Sequence, residues 1–216
     1  MARSGKHDNR IYWNKVYEGI NEIKPIYDLW LDKYKDILEK SRDTKIIDLG
    51  CGSGNNSIYL DERNYKVISC DYSKEGLNIV KRYIRNFEIV EMDLTEKFPF
   101  EDESTEVIIA DLSLHYFDEN TTKSILNEIK RILKYDGYLI ARVNTIKDIN
   151  FNAGNGEEIE KHFYLTKEGY KRFFDEEDIK KFFGVFEIHN MEETVMNRYG
   201  AEKKCFEIVC INKGKR

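Results

Sequence analysis

The sequence predicts an α/β fold in which a mostly parallel sheet carries helices on both faces, and three observations predict it. Across the middle of the chain, short apolar runs rich in β-branched residues alternate with segments of helical period, the pattern of successive βαβ units. Several of these runs are apolar at consecutive positions, such as Ile46 and Ile47 or Val107, Ile108 and Ile109, as a strand buried on both sides requires. The 216 residues suffice for one substantial core and leave too little for a second full domain.

The chain opens with an arm in which Ile11 to Ile20 fits a helix and Trp30, Tyr34, Ile37 and Leu38 make an amphipathic one. Strands follow near Thr44 to Gly50, Tyr65 to Asp71, Phe87 to Met92, Thr105 to Leu112 and Gly137 to Val143. Between them Leu77, Val80 and Ile84 share one helical face behind an N-cap at Ser73, and Ile125, Ile129, Ile132 and Leu133 share another. The stretch from Thr145 to Phe174 falls outside this pattern, rich first in Asn and Gly and then in aromatic residues. Asp175 can cap a helix that turns Ile179, Phe182 and Phe183 to the core. Strands around Val185 to Ile188 and Cys205 to Ile211 then close the chain, with Gly200 in the turn between them. The expected organisation is one domain: an arm or lid over 1–43, a ligand-binding core over 44–144, an insertion over 145–174, and a C-terminal helix and hairpin over 175–216.

Composition narrows the function. A formal charge of −5, with no helix carrying a basic stripe, argues against a protein that holds nucleic acid through its phosphates, and the tail from Lys213 to Arg216 reads as solvated. No run approaches the ~20 apolar residues that cross a bilayer, and charges stand where a secretory signal has its apolar core, so a cytoplasmic protein without a membrane partner is expected. Cys51, Cys70, Cys205 and Cys210 form no CxxC pair and have no His partners at ligand spacing, so neither a metal site nor a disulfide framework is expected.

The chemistry concentrates in Ile46-Ile47-Asp48-Leu49-Gly50-Cys51-Gly52-Ser53-Gly54, an apolar strand ending in an acid and a glycine-rich turn that enters a helix. Such a turn lets a ligand lie against the backbone, at the carboxyl end of a strand where open α/β sheets bind. A dinucleotide fingerprint is not met, because position 55 is Asn where the third glycine belongs. Asp48 would repel a pyrophosphate and can receive a cationic amino group. Asp71 follows at the spacing from which a carboxylate takes ribose hydroxyls, and Asp93, after the third strand, can accept from an exocyclic adenine amine with Leu94 against the ring.

On these residues the sequence resembles the class I S-adenosylmethionine-dependent methyltransferases, strongly from Thr44 to Val143 and more weakly through the last hairpin. The resemblance implies a Rossmann-like seven-stranded sheet whose last strand is antiparallel. It implies S-adenosylmethionine as cofactor, with Asp48 to Gly54 (Gly50, Cys51 and Gly52 among them) on the methionine tail, Asp71 on the ribose, Asp93 and Leu94 on the adenine, and Tyr72 and Asp111 beside them. Ala110-Asp111-Leu112-Ser113-Leu114-His115-Tyr116 and Leu133-Lys134-Tyr135-Asp136-Gly137-Tyr138-Leu139 make the chain similar to the small-molecule branch, with its tellurite-resistance-type and ubiquinone-biosynthesis-type enzymes. The first of these departs from the Asn-Pro-Pro-Tyr type of the amino-methylating nucleic-acid enzymes, so a small-molecule acceptor is expected.

Methyl transfer needs alignment and exclusion of water more than a nucleophile or metal. Where the acceptor must lose a proton, His115 is the candidate base, although a histidine after a strand also serves as a cap or packs beneath a loop. His162, in the insertion, is a weaker candidate. Trp13 and Tyr17, four apart, either close over the cofactor as a lid or pack on the sheet. Phe163, Tyr164, Tyr170, Phe173 and Phe174 supply either an acceptor wall or core. Arg142 and Arg198 either bind an anionic acceptor or are surface charges. A protein or RNA methyltransferase and a non-catalytic cofactor-binding module stay open beside the leading reading.

Overall fold

A computed structural model describes residues 6–19, 24–86, 88–198 and 200–214, with the backbone alone for 6–10. Ile20, Phe87 and the end of the basic tail, which the sequence places in a helix, a strand and solvent, lie outside the described residues.

Helix α1 (Lys6–Glu18) comes first, and α2 (Lys35–Leu38) is a single turn between 3₁₀ turns at Trp30–Tyr34 and Glu39–Ser41. Strands β1 (Lys45–Leu49), β2 (Lys66–Asp71), β3 (Glu88–Glu91), β4 (Thr105–Asp111) and β5 (Leu133–Asn144) then alternate with α3 (Asn55–Glu62), α4 (Lys74–Tyr83) and α5 (Glu119–Ile132). The insertion folds into β6 (Glu157–Glu160), β7 (Phe163–Thr166) and β8 (Gly169–Arg172), an antiparallel sheet of its own. Helix α6 (Glu176–Phe183) and the hairpin β9 (Glu187–Met196) and β10 (Lys203–Ile211) close the chain.

The main sheet has seven strands in the order β3-β2-β1-β4-β5-β10-β9, and β10 runs antiparallel to both its neighbours. Apart from β10 its strands are parallel, so the Rossmann-like α/β architecture expected from the sequence is present. Consecutive apolar residues split between the faces, Ile47 toward α5 and α6 and Ile46 toward α3 and α4, which is why these strands do not alternate with polar residues. The strand order reverses between β1 and β4, and the crevice beyond their carboxyl ends is where such sheets take ligands.

The predicted caps form. The Ser73 hydroxyl accepts from the Gly76 N–H (3.2 Å), and Asp175 and Asp178 make a reciprocal capping box on α6. Three boundaries differ from expectation. Leu133 leaves α5 and opens β5, because the Asn212 side-chain amide donates to the carbonyls of Lys130, Leu133 and Lys134 and so satisfies the end of the helix. Strand β9 extends to Met196; it is an edge strand, mostly exposed, so its length left no apolar alternation to read. The segment around Trp30 to Leu38 holds only one α-turn.

Candidate functional site

A cavity of about 700 Å³ opens at the carboxyl ends of β1 to β4 and is walled by α1, the insertion and the β9–β10 turn. Its floor is the glycine turn. Gly50 and Gly52 have φ of +70° and +55°; a Cβ at the first would run into Ser113, and one at the second into the Tyr17 hydroxyl. Only glycine leaves both neighbours in place, so bare backbone faces this space. Leu112, at φ +56°, turns the chain after β4, and the Ser113 hydroxyl then donates to the Leu49 carbonyl at 2.7 Å.

The acids predicted at the strand ends sit in three different ways. Asp71 lies on the wall, where its Oδ2 accepts from the Gly52 N–H and its Oδ1 from the Ser73 N–H, both at 2.8 Å. It therefore pins the turn after β1 to the tip of β2. Asp93, also on the wall with Tyr72 and Leu94, accepts from the Thr95 backbone and hydroxyl at 2.9 and 2.7 Å. Asp48 sits apart from these wall residues, its Oδ2 accepting from the Ser57 hydroxyl at 2.6 Å. Burial, reinforced by the nearby charges of Asp111 and Asp71, pushes its carboxyl up to about 7. Cys51 lines the floor, and burial raises its thiol far above the ordinary range.

Asp111 ends β4 at the centre of a buried ion network. Arg142 binds it in fork geometry at 2.7 and 2.8 Å and reaches Asp28 of the arm at 2.7 Å, with its guanidinium 4.1 Å from the Trp30 ring centroid. Arg198, from the β9–β10 turn, adds bonds to Asp111 (3.0 Å) and Asp28 (3.4 Å). The two arginines hold the Asp111 carboxyl well below its ordinary range. Neither is a surface charge: Arg142 is consumed by the network, and Arg198 is the one of the two that reaches the cavity wall.

His115 is 2% exposed, lines the cavity beside Tyr116 (centroids 4.3 Å apart), and its Nδ1 has no hydrogen-bond partner among the described residues. Burial, followed by Lys203 and Lys171, holds its basicity well below the ordinary value, so the ring is neutral. Trp13 stacks on Tyr17 and meets Tyr116 edge-on, and Asn14 accepts from the Ser73 hydroxyl at 2.7 Å, so α1 lies across the cavity from α4 to β8. Of the insertion's aromatics, Phe151, Phe163 and Tyr170 line the cavity, while Phe174 is core and Tyr164 packs on buried Phe173. Lys171 and Lys203 also line it; both lie in polar stretches with no motif to announce them. His162, Asp175 and Asp178 gather their polar atoms within 4.8 Å, but the two acids are the cap of α6 and give no reason to infer a metal.

Residues 47–141, the span that supplies the turn and all of the strand-tip acids, match the family model of the methyltransferase domain. Over that span the chain is similar to a methyltransferase domain, and its Rossmann-like sheet is the one expected of the class I enzymes. The methyl donor of that class is S-adenosylmethionine, and the bare glycine turn, the acids at successive strand tips and a cavity beside them fit such a ligand. The chain is similar to the tRNA N(3)-methylcytidine methyltransferase Mettl2 of Drosophila melanogaster, 27% identical over 82% of this chain and 56% of that protein. The chain thus spans about half the length of the curated relatives it matches. In fold it resembles a methyltransferase of Methanosarcina mazei (TM-score 0.70, 19% identity, 79% of this chain and 93% of that one). It also resembles the Burkholderia thailandensis 1,6-didemethyltoxoflavin-N1-methyltransferase solved with 1,6-didemethyltoxoflavin and S-adenosylhomocysteine (TM-score 0.65, 15% identity, 99% and 92%). No helix among the described residues is long and apolar enough to cross a membrane.

Proposed function

We propose that this chain transfers the methyl group of S-adenosylmethionine to a small-molecule acceptor. The observation that carries the reading is a single cavity in which the glycine turn and strand-tip acids meet a second wall built by the insertion. The donor supplies an electrophilic methyl: its bond to sulfur breaks as an acceptor lone pair forms the new bond, the old pair stays on sulfur, and any acceptor proton leaves.

The chain's residues bind, orient and exclude water. Asp71 would hold the ribose, Asp93, Leu94 and Tyr72 the adenine end, and the turn from Gly50 to Gly54 the methionyl portion. Asp111 and Arg198, an acid and a cation side by side on the wall, suit the ammonium and carboxylate of that portion. Asp48 supports the turn from behind. Trp13 and Tyr17 on α1 keep water out, as a lid does. Neutral His115 lines the cavity and can take a departing proton only in passing, since its low basicity hands that proton on to solvent.

Calorimetry with S-adenosylhomocysteine and with NAD tests the donor assignment. The expected result is binding of the first alone, at least tenfold weaker in Asp71→Ala; binding of NAD alone overturns the reading. A tRNA acceptor is the second reading, favoured by the likeness to Mettl2, while the charge of −5 supports the first. Labelled methyl recovered in bulk tRNA, and in no candidate small molecule, would select the second.

A further inference from the structure

The acceptor side of the cavity holds two lysines where burial makes charge costly. His115 follows β4, Lys171 lies on β8 and Lys203 opens β10; these three residues are 2%, 8% and 5% exposed and line the same cavity. Lys203 is held at 2.8 Å by Asp148, a fully buried acid set apart from the cavity wall, and its ammonium also lies 4.2 Å from the Phe151 ring centroid. Lys171 is held at 2.9 Å by Glu168, whose side chain is 41% exposed and therefore screened by water. The other acids on this wall are committed: Glu160 binds Arg172 at 2.5 Å and the Glu119 N–H at 2.9 Å, and Asp118 caps α5. Lys203 and Lys171 both lie close enough to His115 to oppose its protonation, after burial itself. Two lysines buried at the wall of one cavity are an expensive arrangement for packing alone. Around them stand flat apolar surfaces, with Phe163 and Tyr170 stacked at 5.5 Å and Tyr116 beside Trp13.

We propose that the acceptor belongs to the aromatic carboxylates, its ring held between the cavity's aromatic side chains and its carboxylate recognised by Lys171 and Lys203. This rests on the methyl-transfer reading, since it concerns the acceptor half of the same cavity. Recognition, not methylation, is assigned to the carboxylate.

The protein saturated with S-adenosylhomocysteine is titrated calorimetrically with 2-naphthoate and with its uncharged isostere 2-naphthamide. The expected result is at least a tenfold preference for the carboxylate in the wild type. In Lys171→Gln that preference shrinks to less than threefold, Lys171→Arg retains it, and S-adenosylhomocysteine affinity stays within twofold of wild type in both. Lys171 is the residue to change because its partner Glu168 can be solvated when left alone, whereas Lys203→Gln would strand buried Asp148. Equal affinities in the wild type, no binding of 2-naphthoate, or a preference that survives in Lys171→Gln overturns this proposal alone. Failure of S-adenosylhomocysteine itself to bind overturns the methyl-transfer reading and this proposal with it.

Discussion

The two halves of the cavity are built by different means. On the donor half, the acids at the tips of β2 and β3 are bonded mainly to backbone N–H groups close by in the chain or across one strand pair: Asp71 to Ser73 and Gly52, Asp93 to Thr95. On the acceptor half, charged side chains bind charged side chains, several from other elements: Lys203 to Asp148, Arg172 to Glu160, and at the boundary Arg142 and Arg198 to Asp28, beside the local pair of Lys171 and Glu168. Backbone donors are placed by the sheet itself, so the donor half inherits its geometry from the fold. The acceptor half is held by ion pairs between side chains, and those of the insertion and β10 can be rewired by a substitution that does not touch β1 to β4. That division suits the proposed function, in which the donor is common to many methyltransferases and the acceptor is chosen by the variable segments.

The sharpest way to break this comparison is at Arg142, where the two halves join. Arg142→Met keeps bulk against Trp30 and removes the fork from Asp111 and Asp28, leaving two acids, one with its side chain nearly buried at the cavity wall, with Arg198 between them. Breaking a buried pair costs about 3–5 kcal/mol. Urea denaturation should report a loss of that size. A loss below about 1 kcal/mol would mean that long-range ion pairs are not what holds the acceptor half to the donor half.

The same division decides how much could be read from the sequence. The strands from Thr44 to Val143, the glycine turn, Asp71, Asp93 and the capping roles of Ser73 and Asp175 were legible, because local periodicity and spacing carry them. Lys171 and Lys203 were not: a lysine in a polar strand reads as solvated, and only the fold shows that β8 and β10 turn them inward. Arg142 was named, but its burial follows from Asp28, 114 residues away, which no local pattern connects to it. The length of β9 was hidden for a related reason, since an edge strand facing water need not alternate.

A smaller effect sharpens the donor side. The buried Asp48 carboxyl titrates near 7 in the folded chain against an ordinary 3.8, so the folded state holds its proton more tightly than the unfolded one. Stability therefore falls as pH rises between these values; the burden is absent below about 4 and complete above 7. Asp48→Asn keeps an oxygen for the Ser57 hydroxyl and removes the burden. Its expected gain over wild type is near zero at pH 4, grows through neutrality and levels off at about 4 kcal/mol by pH 8, followed by thermal melts across that range. A gain that does not vary with pH would show that Asp48 is already ionised and paired.

The smallest effect expected is at the contact of the turn with the lid. Gly52 sits at φ +55°, a conformation that costs an ordinary residue about 1–2 kcal/mol, and its missing Cβ leaves space that the Tyr17 hydroxyl occupies. Gly52→Ala should lower stability by about that amount and weaken S-adenosylhomocysteine binding at least tenfold, because α1 must lift where Trp13 and Tyr17 cover the donor side. Removing the hydroxyl relieves the collision but not the backbone strain, so adding Tyr17→Phe should recover part of the affinity and little of the stability. The four proteins form a double-mutant cycle, and calorimetry reads the coupling between turn and lid. Strict additivity would separate the two: the glycine would then serve the backbone alone, and α1 would cover the cavity without resting on the turn.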